Sequence, residues 1–310
     1  MKVREIKRLL SQVDNPALLF NKLLILEFID GFSQNQNLTE KDKDKKGKDK
    51  GKEKRVEDVK KIDYINKFKE KVQRPELSPK VESYAIEKFR LKTAYRLVIG
   101  AGYPSFIENG FLFHHVYGIP YIPGETLKGL ARTVFILSVA EAVKEETKLS
   151  KIEEELSEEA EGISQQIPKK ISIILDDYTI ENPVETFRKI FGSKKRRGQV
   201  IFFDAYPVEF NPSEHFEADI MNSHYGDYYQ SGKAPADWLS PNPIHFLALK
   251  EGIDFEFSLG LAPLEPMEDN QEKLLLETAR KLLKVGLENF GVGNKKRKGY
   301  GWFSDKTIGR

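Results

Sequence analysis

The hydrophobic positions change period along the chain, and each change marks an element. Val3, Ile6, Leu9, Leu10 and Val13 recur three or four residues apart, and Asn15-Pro16 opens a second such run, so residues 1–32 predict two helices. Val59, Ile62, Ile65, Phe68 and Val72 keep that spacing. Ser78-Pro79 then offers an N-cap followed by proline at the first helical position, which predicts a short helix over 79–89. There the period drops to two. Leu91, Thr93, Tyr95, Leu97 and Ile99 alternate with their neighbours, a strand that ends at Gly100 and Gly102.

Residues 111–116 predict a second strand. Ile122-Pro123-Gly124-Glu125-Thr126 turns into a helix striped by Leu127, Leu130, Ala131, Val134, Phe135 and Leu137, which runs on toward a Glu-rich block. A short strand over 171–175, a helix over 184–190 and a buried strand over 200–203 follow. Residues 244–250 and 255–261 predict the two arms of a hairpin turning at Glu251-Gly252-Ile253-Asp254. A last helix spans 271–289, and Tyr300-Gly301-Trp302-Phe303 closes the chain as a strand.

The order strand, helix, strands, helix, glycine loop, strand predicts an α+β fold: a ferredoxin-like (RRM-like) βαββαβ core with insertions and an N-terminal helical extension. The expected organisation is helices over 1–32, a charged linker over 33–55, a helical segment over 56–89 packing on the core, and a core domain over 90–310. A Glu-rich insertion is placed near 141–165.

Charge alters this picture only when resolved by segment. The 310 residues carry 50 Lys and Arg against 48 Asp and Glu, a net of +2, which as a total argues against a strongly basic nucleic-acid binder. Yet residues 40–55 hold nine basic and five acidic side chains with nothing to bury, and residues 141–161 hold nine Glu and three Lys. Short cationic tracts stand apart from both: Arg188-Lys189 with Lys194-Lys195-Arg196-Arg197, and Lys295-Lys296-Arg297-Lys298. The absence of cysteine excludes disulfides, thiolate metal sites and a cysteine nucleophile. No apolar run approaches the roughly 18 residues of a membrane span, and no signal-peptide pattern opens the chain, so a cytoplasmic protein is expected.

The most specific chemistry lies near the C-terminus. Gly291, Gly293, Gly299 and Gly301 stand in pairs around Lys295-Lys296-Arg297-Lys298. Glycines admit positive φ and close backbone approach, successive amides in such turns form anion-binding concavities, and the cations add attraction for phosphate. Other candidates are weaker. Lys128 and Arg132, four apart, share one helical face behind a Pro-Gly helix start whose N-terminus suits a phosphate. His114-His115 is the candidate for acid–base catalysis, although neighbours in a strand face opposite ways and no partner is evident. Asp204 and Asp176-Asp177 suit loop capping better than a metal. Within 219–243, His224, Tyr225, Tyr228, Tyr229 and Trp238 fit a subunit contact or base stacking, with His224 and Tyr225 the pair placed against RNA.

These residues carry a resemblance. Gly291, Gly293, Gly299 and Gly301 match the G-x-G-x5-G-x-G loop of the RAMP superfamily of CRISPR-associated RNA-binding proteins. Residues 121–132, Ile190-Phe191-Gly192-Ser193 with 198–205, and the stretches 219–225 and 235–244 agree with it. Within that superfamily the chain resembles the backbone subunits of type III-B effector complexes. The resemblance implies a non-catalytic subunit without cofactor or metal that holds the guide (crRNA) by its phosphates near the 3′ end, beside other RAMP subunits and the complementary target RNA. Gly291, Gly293, Lys295, Lys296, Arg297, Lys298, Gly299, Gly301, Lys128, Arg132, Arg196, Arg197, His224 and Tyr225 would form the RNA-binding set. Two alternatives stay open: a metal-independent endoribonuclease using His114 or His115, and a protein-only cap of the complex.

Overall fold

The computed structural model describes residues 85–305 except 106–108, 144–148, 159–166, 224–230, 233 and 235–241, together with 66 and 68. The helices predicted over 1–32, the linker over 33–55 and most of the segment over 56–84 lie outside the described residues, as do His224 and Tyr225. The chain divides into two compact units. One comprises Met1–Ser78, Val98–Pro120 and Glu209–Lys250, and the other Pro79–Leu97, Tyr121–Val208 and Glu251–Arg310.

The second of these units is an α+β assembly on an antiparallel sheet. Its strands are β1 (Ala85–Thr93), β4 (Val200–Phe202), β5 (Tyr206–Pro207), β8 (Asp254–Leu261) and β9 (Phe303–Ser304). Their order is β4-β8-β1-β9, with β5 also paired to β8. The register sets Phe89 opposite Phe257, Leu91 opposite Phe255 and Thr93 opposite Phe303. Alternation along β8 buries Phe255, Phe257 and Leu259 completely, and Phe303 meets both phenylalanines edge-on with ring centroids 5.6 and 5.4 Å apart. The intervening positions carry paired charges: Arg90 lies 3.1 Å and Lys88 3.6 Å from Glu256, and Lys92 3.5 Å from Asp254.

Two long helices, α1 (Gly124–Val143) and α5 (Asp269–Asn289), pack on each other and on the sheet. They pack tightly at Gly286, where an added Cβ would lie 2.6 Å from Leu130 Cγ. Part of the Glu-rich segment is described. Residues Leu149–Ser157 form α2, which buries Ile152 and Leu156 against α1 and α3 (Pro183–Phe191). Two arginines secure it. Arg132 Nη1 on α1 donates to Glu153 Oε1 at 2.6 Å, while Arg188 on α3 donates to the Leu156 and Glu155 carbonyls at 3.1 and 3.3 Å and to that of Glu158. Cations at the last carbonyls of a helix satisfy acceptors that the helix cannot. Strands β2 (Lys170–Ser172) and β3 (Thr179–Glu181) form a small hairpin of their own.

The unit that holds residues 98–120 and 209–250 contains the short helix α4 (Pro212–His215) and the antiparallel pair β6 (Phe216–Ser223) and β7 (Asn242–Leu249). Its core is aromatic: Phe216 stands 5.3 to 5.8 Å from the rings of Phe68, Phe111, Phe113 and Phe210.

Five expectations change. The strand expected over 91–99 stops at Thr93, where β1 ends in a bend. Residues 85–89, expected at the end of a helix, belong to β1, because pairing with β8 outweighs a local start signal. The strand expected over 111–116 is a single bridge, Phe113 to Pro120, around a turn with Gly118 at φ 67°. The segment 171–175 keeps only β2 as strand, since Leu175 takes a left-handed φ of 63°. The hairpin expected from 244–261 does not form: β7 pairs with β6, and β8 with β1, β4 and β5. Its turn is tied elsewhere, with Gly252 N–H donating to the Thr93 carbonyl at 2.7 Å and Thr93 N–H to that of Ile253 at 3.0 Å.

The helix contact gives a paired prediction. Gly286→Ala should lower unfolding free energy by about 1–3 kcal/mol through overpacking, although alanine is the better helix former. Gly129→Ala, at an exposed position on α1 with nothing near the new Cβ, should raise it by about 0.5–1 kcal/mol. Denaturant titration of both variants checks the placement, and equal signs would contradict it.

Candidate nucleic-acid interface

Helix α5 ends where its periodic leucines end. The Gly286 carbonyl accepts both Phe290 N–H at 2.9 Å and Gly291 N–H at 3.0 Å, which turns the chain out of the helix. From there the backbone doubles back on itself. Val292 N–H donates to the Gly301 carbonyl at 2.9 Å, and Gly301 N–H donates to the Arg96 carbonyl at 2.8 Å. Gly301 has φ 73°, and a Cβ on it would overlap the Val292 carbonyl oxygen. Conformation and space both demand glycine here.

The cations sit at the tip of this loop. Lys295 takes a left-handed φ of 59°, Lys296–Lys298 form one 3-10 turn, and Gly299 follows at φ 90°. Lys298 N–H and Gly299 N–H close the turn onto the Lys295 and Lys296 carbonyls, each at 2.9 Å. The side chains of Lys296, Arg297 and Lys298 are exposed and form no ion pair among the described residues. Three adjacent unpaired cations on a backbone fixed by glycines suit an extended polyanion.

The structure adds two residues that the sequence did not single out. Arg96 supplies the carbonyl that anchors Gly301, and its guanidinium donates to Tyr95 Oη at 2.8 Å. The Tyr95 and Tyr300 rings meet edge-on at 5.2 Å, and Lys295 Nζ lies 6.0 Å over Tyr300. The base of the cationic loop is therefore an aromatic pair with a cation at each end. No local motif marks Tyr95 and Arg96, because their neighbours in space lie some 200 residues away along the chain.

The helix motif over 121–132 has a different outcome. The N-terminus of α1 is already occupied by an anion of the protein itself, since Asp204 Oδ1 accepts the Gly124 N–H at 2.7 Å. Asp204 acts as the loop cap expected of it. Arg132 is committed to Glu153 and Ser157 and lies 5.2 Å over the Phe187 ring. Lys128 remains half-buried, and burial first and the Arg132 charge second hold its ammonium below the ordinary lysine pKa.

The second basic tract caps α3. Gly192 and Arg197 form a bridge, and Ser193 Oγ accepts the amides of Lys195 and Arg196 at 3.2 and 3.1 Å. Arg196 and Arg197 line a cavity of about 830 Å³ with Lys169, Lys189, Gln199 and Met267. Arg197 also donates to the Ala262 carbonyl at 3.1 Å, and Lys194 is paired with Glu158.

The histidine pair does not diverge as strand neighbours would. His114 and His115 stack at 5.1 Å with planes 16° apart, in a turn. His114 Nδ1 accepts the Val116 and Tyr117 amides, both at 3.3 Å, so one of its nitrogens serves the backbone. Among the described residues no cluster of His, Cys, Asp or Glu could hold a metal ion.

A sheet of this order, a glycine-bounded cationic loop between helix and edge strand, and a second basic turn define a class of protein. The chain belongs to the RAMP superfamily, whose family model matches residues 90–304. It is similar to the CRISPR system Cmr subunit Cmr6 of Pyrococcus furiosus, at 32% identity over 232 residues. That alignment takes in 68% of this chain and 66% of the relative, so the chain spans just under two thirds of that protein's length. Among solved structures, the crystal structure of Cmr6 from Pyrococcus furiosus matches with a TM-score of 0.48 at 30% identity, covering 73% of this chain and all of that one. A chain from the type III-B Cmr-beta complex bound to cognate target RNA matches with a TM-score of 0.56 at 19% identity, covering 97% of this chain and 94% of that one.

The loop geometry predicts a sharp asymmetry between neighbours. Gly301→Ala should cost about 2 kcal/mol or more of stability, whereas Lys296→Ala should stay within about 0.5 kcal/mol. Thermal unfolding of the two variants measures this, and similar losses would refute the close contact at Val292.

Proposed function

We propose that the chain is a non-catalytic, guide-RNA-binding backbone subunit of a type III-B CRISPR effector complex in the cytoplasm. It would hold the crRNA by its phosphates near the 3′ end, beside other RAMP subunits, and help present the guide to complementary target RNA. The observation that carries this reading is the turn at Lys296–Lys298: three exposed cations, unpaired among the described residues, on a backbone shaped by glycines. Similarity to Cmr6 and to a chain of the Cmr-beta complex supports the choice of complex. The sheet order β4-β8-β1-β9, with α1 between β1 and β4 and α5 between β8 and β9, supports a ferredoxin-like core.

Lys295–Lys298 and the surrounding glycines form the principal contact, with Arg196 and Arg197 as a second and Lys128 as an accessory. Arg132 has a smaller part than its position suggests, because contact with phosphate would cost it Glu153 and Ser157. His224 and Tyr225 keep their place as candidates on the aromatic stretch. Binding of this kind reads charge and backbone shape, so it depends little on base sequence.

No described helix is long and apolar enough to cross a membrane. The ribonuclease alternative draws little support from a His114 whose Nδ1 accepts two backbone amides.

Two measurements test the proposal. Replacing Lys296, Arg297 and Lys298 together with alanine should weaken single-stranded RNA binding and reduce the slope of log K against log salt by about 2, roughly 0.7 per lost phosphate contact. An unchanged slope would defeat the phosphate reading. Incubation of the chain with single-stranded RNA in EDTA should leave the RNA intact; cleavage that disappears in a His114→Ala, His115→Ala double variant would establish the enzyme instead.

A further inference from the structure

Trp302 follows the cationic loop directly and is the one tryptophan among the described residues. It is 39% exposed, while Phe303 beside it is 2% exposed, as expected where successive side chains of an extended segment point to opposite sides. Its indole rests on bare backbone: a Cβ at Gly291 would lie 2.5 Å from Cδ1 and 3.0 Å from Nε1. Gly291 thus serves to seat the ring as well as to end α5. The Trp302 carbonyl accepts Ala94 N–H at 2.8 Å, so the backbone that carries the ring is fixed to the strand beside it. The indole N–H makes no hydrogen bond among the described residues.

A large, rigid aromatic surface held open to solvent suits either a protein partner or a nucleobase. Its surroundings favour the base. Trp302 lies four positions after Lys298, a span of at most about 14 Å, so the ring stands within reach of a nucleotide whose phosphate lies on the turn. Lys296, Arg297 and Lys298 beside it are exposed, and charged residues are depleted from the buried centres of protein interfaces. Cations that track a phosphate backbone combined with an aromatic plane are the means by which single-stranded nucleic acid is held without regard to sequence.

We propose that Trp302 is a stacking platform for an unpaired nucleobase of the RNA whose phosphates lie on the Lys296–Lys298 turn. The inference rests on the phosphate reading above and adds a base subsite of broad specificity to it, since any base offers a π face. Stacking at this point would turn one base away from its neighbours and set the register of the strand on the loop.

The test uses the full chain with Trp238→Phe, which leaves Trp302 as the only tryptophan of two. Indole fluorescence is followed during titration at low salt with a single-stranded oligouridylate and with an abasic ribose-phosphate oligomer of the same length. The oligouridylate should quench the emission and the abasic oligomer should not. Trp302→Ala should weaken oligouridylate binding about 5- to 150-fold with an unchanged salt slope, and Trp302→Phe should retain most of the affinity. Equal binding by wild type and Trp302→Ala, or equal quenching by both oligomers, overturns the stacking site while the effect of the triple alanine variant of the turn can still stand. If the triple alanine variant of the turn also leaves binding unaltered, or if neither oligomer binds at all, the phosphate reading falls with it. Quenching produced only by other protein subunits would assign Trp302 to a protein interface and overturn the proposal.

Discussion

The contact between Gly301 and Val292 is the constraint on which the candidate interface depends. It lets the backbone leaving α5 lie directly against the backbone entering β9, closed by the Val292 N–H to Gly301 carbonyl bond. Because that approach leaves no room for a side chain, the eight residues between them must form a compact loop. The same bond line continues through Gly301 N–H to the Arg96 carbonyl, which ties the loop to the chain leaving β1. The cations gain their value from this rigidity. A flexible tetrapeptide of like charge would have to give up conformational entropy on binding, whereas the turn at Lys296–Lys298 is already ordered.

Charge in this protein divides into spent and available. Arg132, Arg188 and Lys194 are taken up by α2 or its C-terminal end, through Glu153, three main-chain carbonyls and Glu158. Glu153 and Glu158 of the Glu-rich segment are thereby counter-ions of Arg132 and Lys194. Lys88, Arg90 and Lys92 are matched in the same way by Glu256 and Asp254 across the sheet. Among the described residues, Lys296, Arg297 and Lys298 have no such counter-ion.

Much of the helical architecture was legible in the sequence. The stripes from Leu127 to Leu137 and from Leu274 to Leu287 mark α1 and α5 because a helix repeats within a few residues and carries its own hydrogen bonds, although Leu274 itself stays exposed. The glycine pairs marked the loop for a similar reason, since positive φ is a property of the single residue. Strands fared worse. Two apolar segments joined by Glu251-Gly252-Ile253-Asp254 have the pattern of a hairpin, yet β7 found β6 and β8 found β1, partners that no local pattern names. The start of β1 within a helix-like segment has the same cause.

The sequence by itself determined where the two long helices α1 and α5 lie, where the backbone turns at the glycine loop, and that four consecutive cations are set among glycines. Only the tertiary structure decided which cations remain available. Arg132 and Lys298 are indistinguishable as charges along the chain, and they part company because Glu153 is folded back onto one and nothing described pairs with the other. It likewise brought Tyr95 and Arg96 beneath the loop, seated Trp302 on Gly291, and filled the N-terminus of α1 with Asp204. Turn geometry is local and is written in neighbouring residues. Electrostatic availability depends on which distant groups come within a few ångströms, and that is known only once the chain has closed on itself.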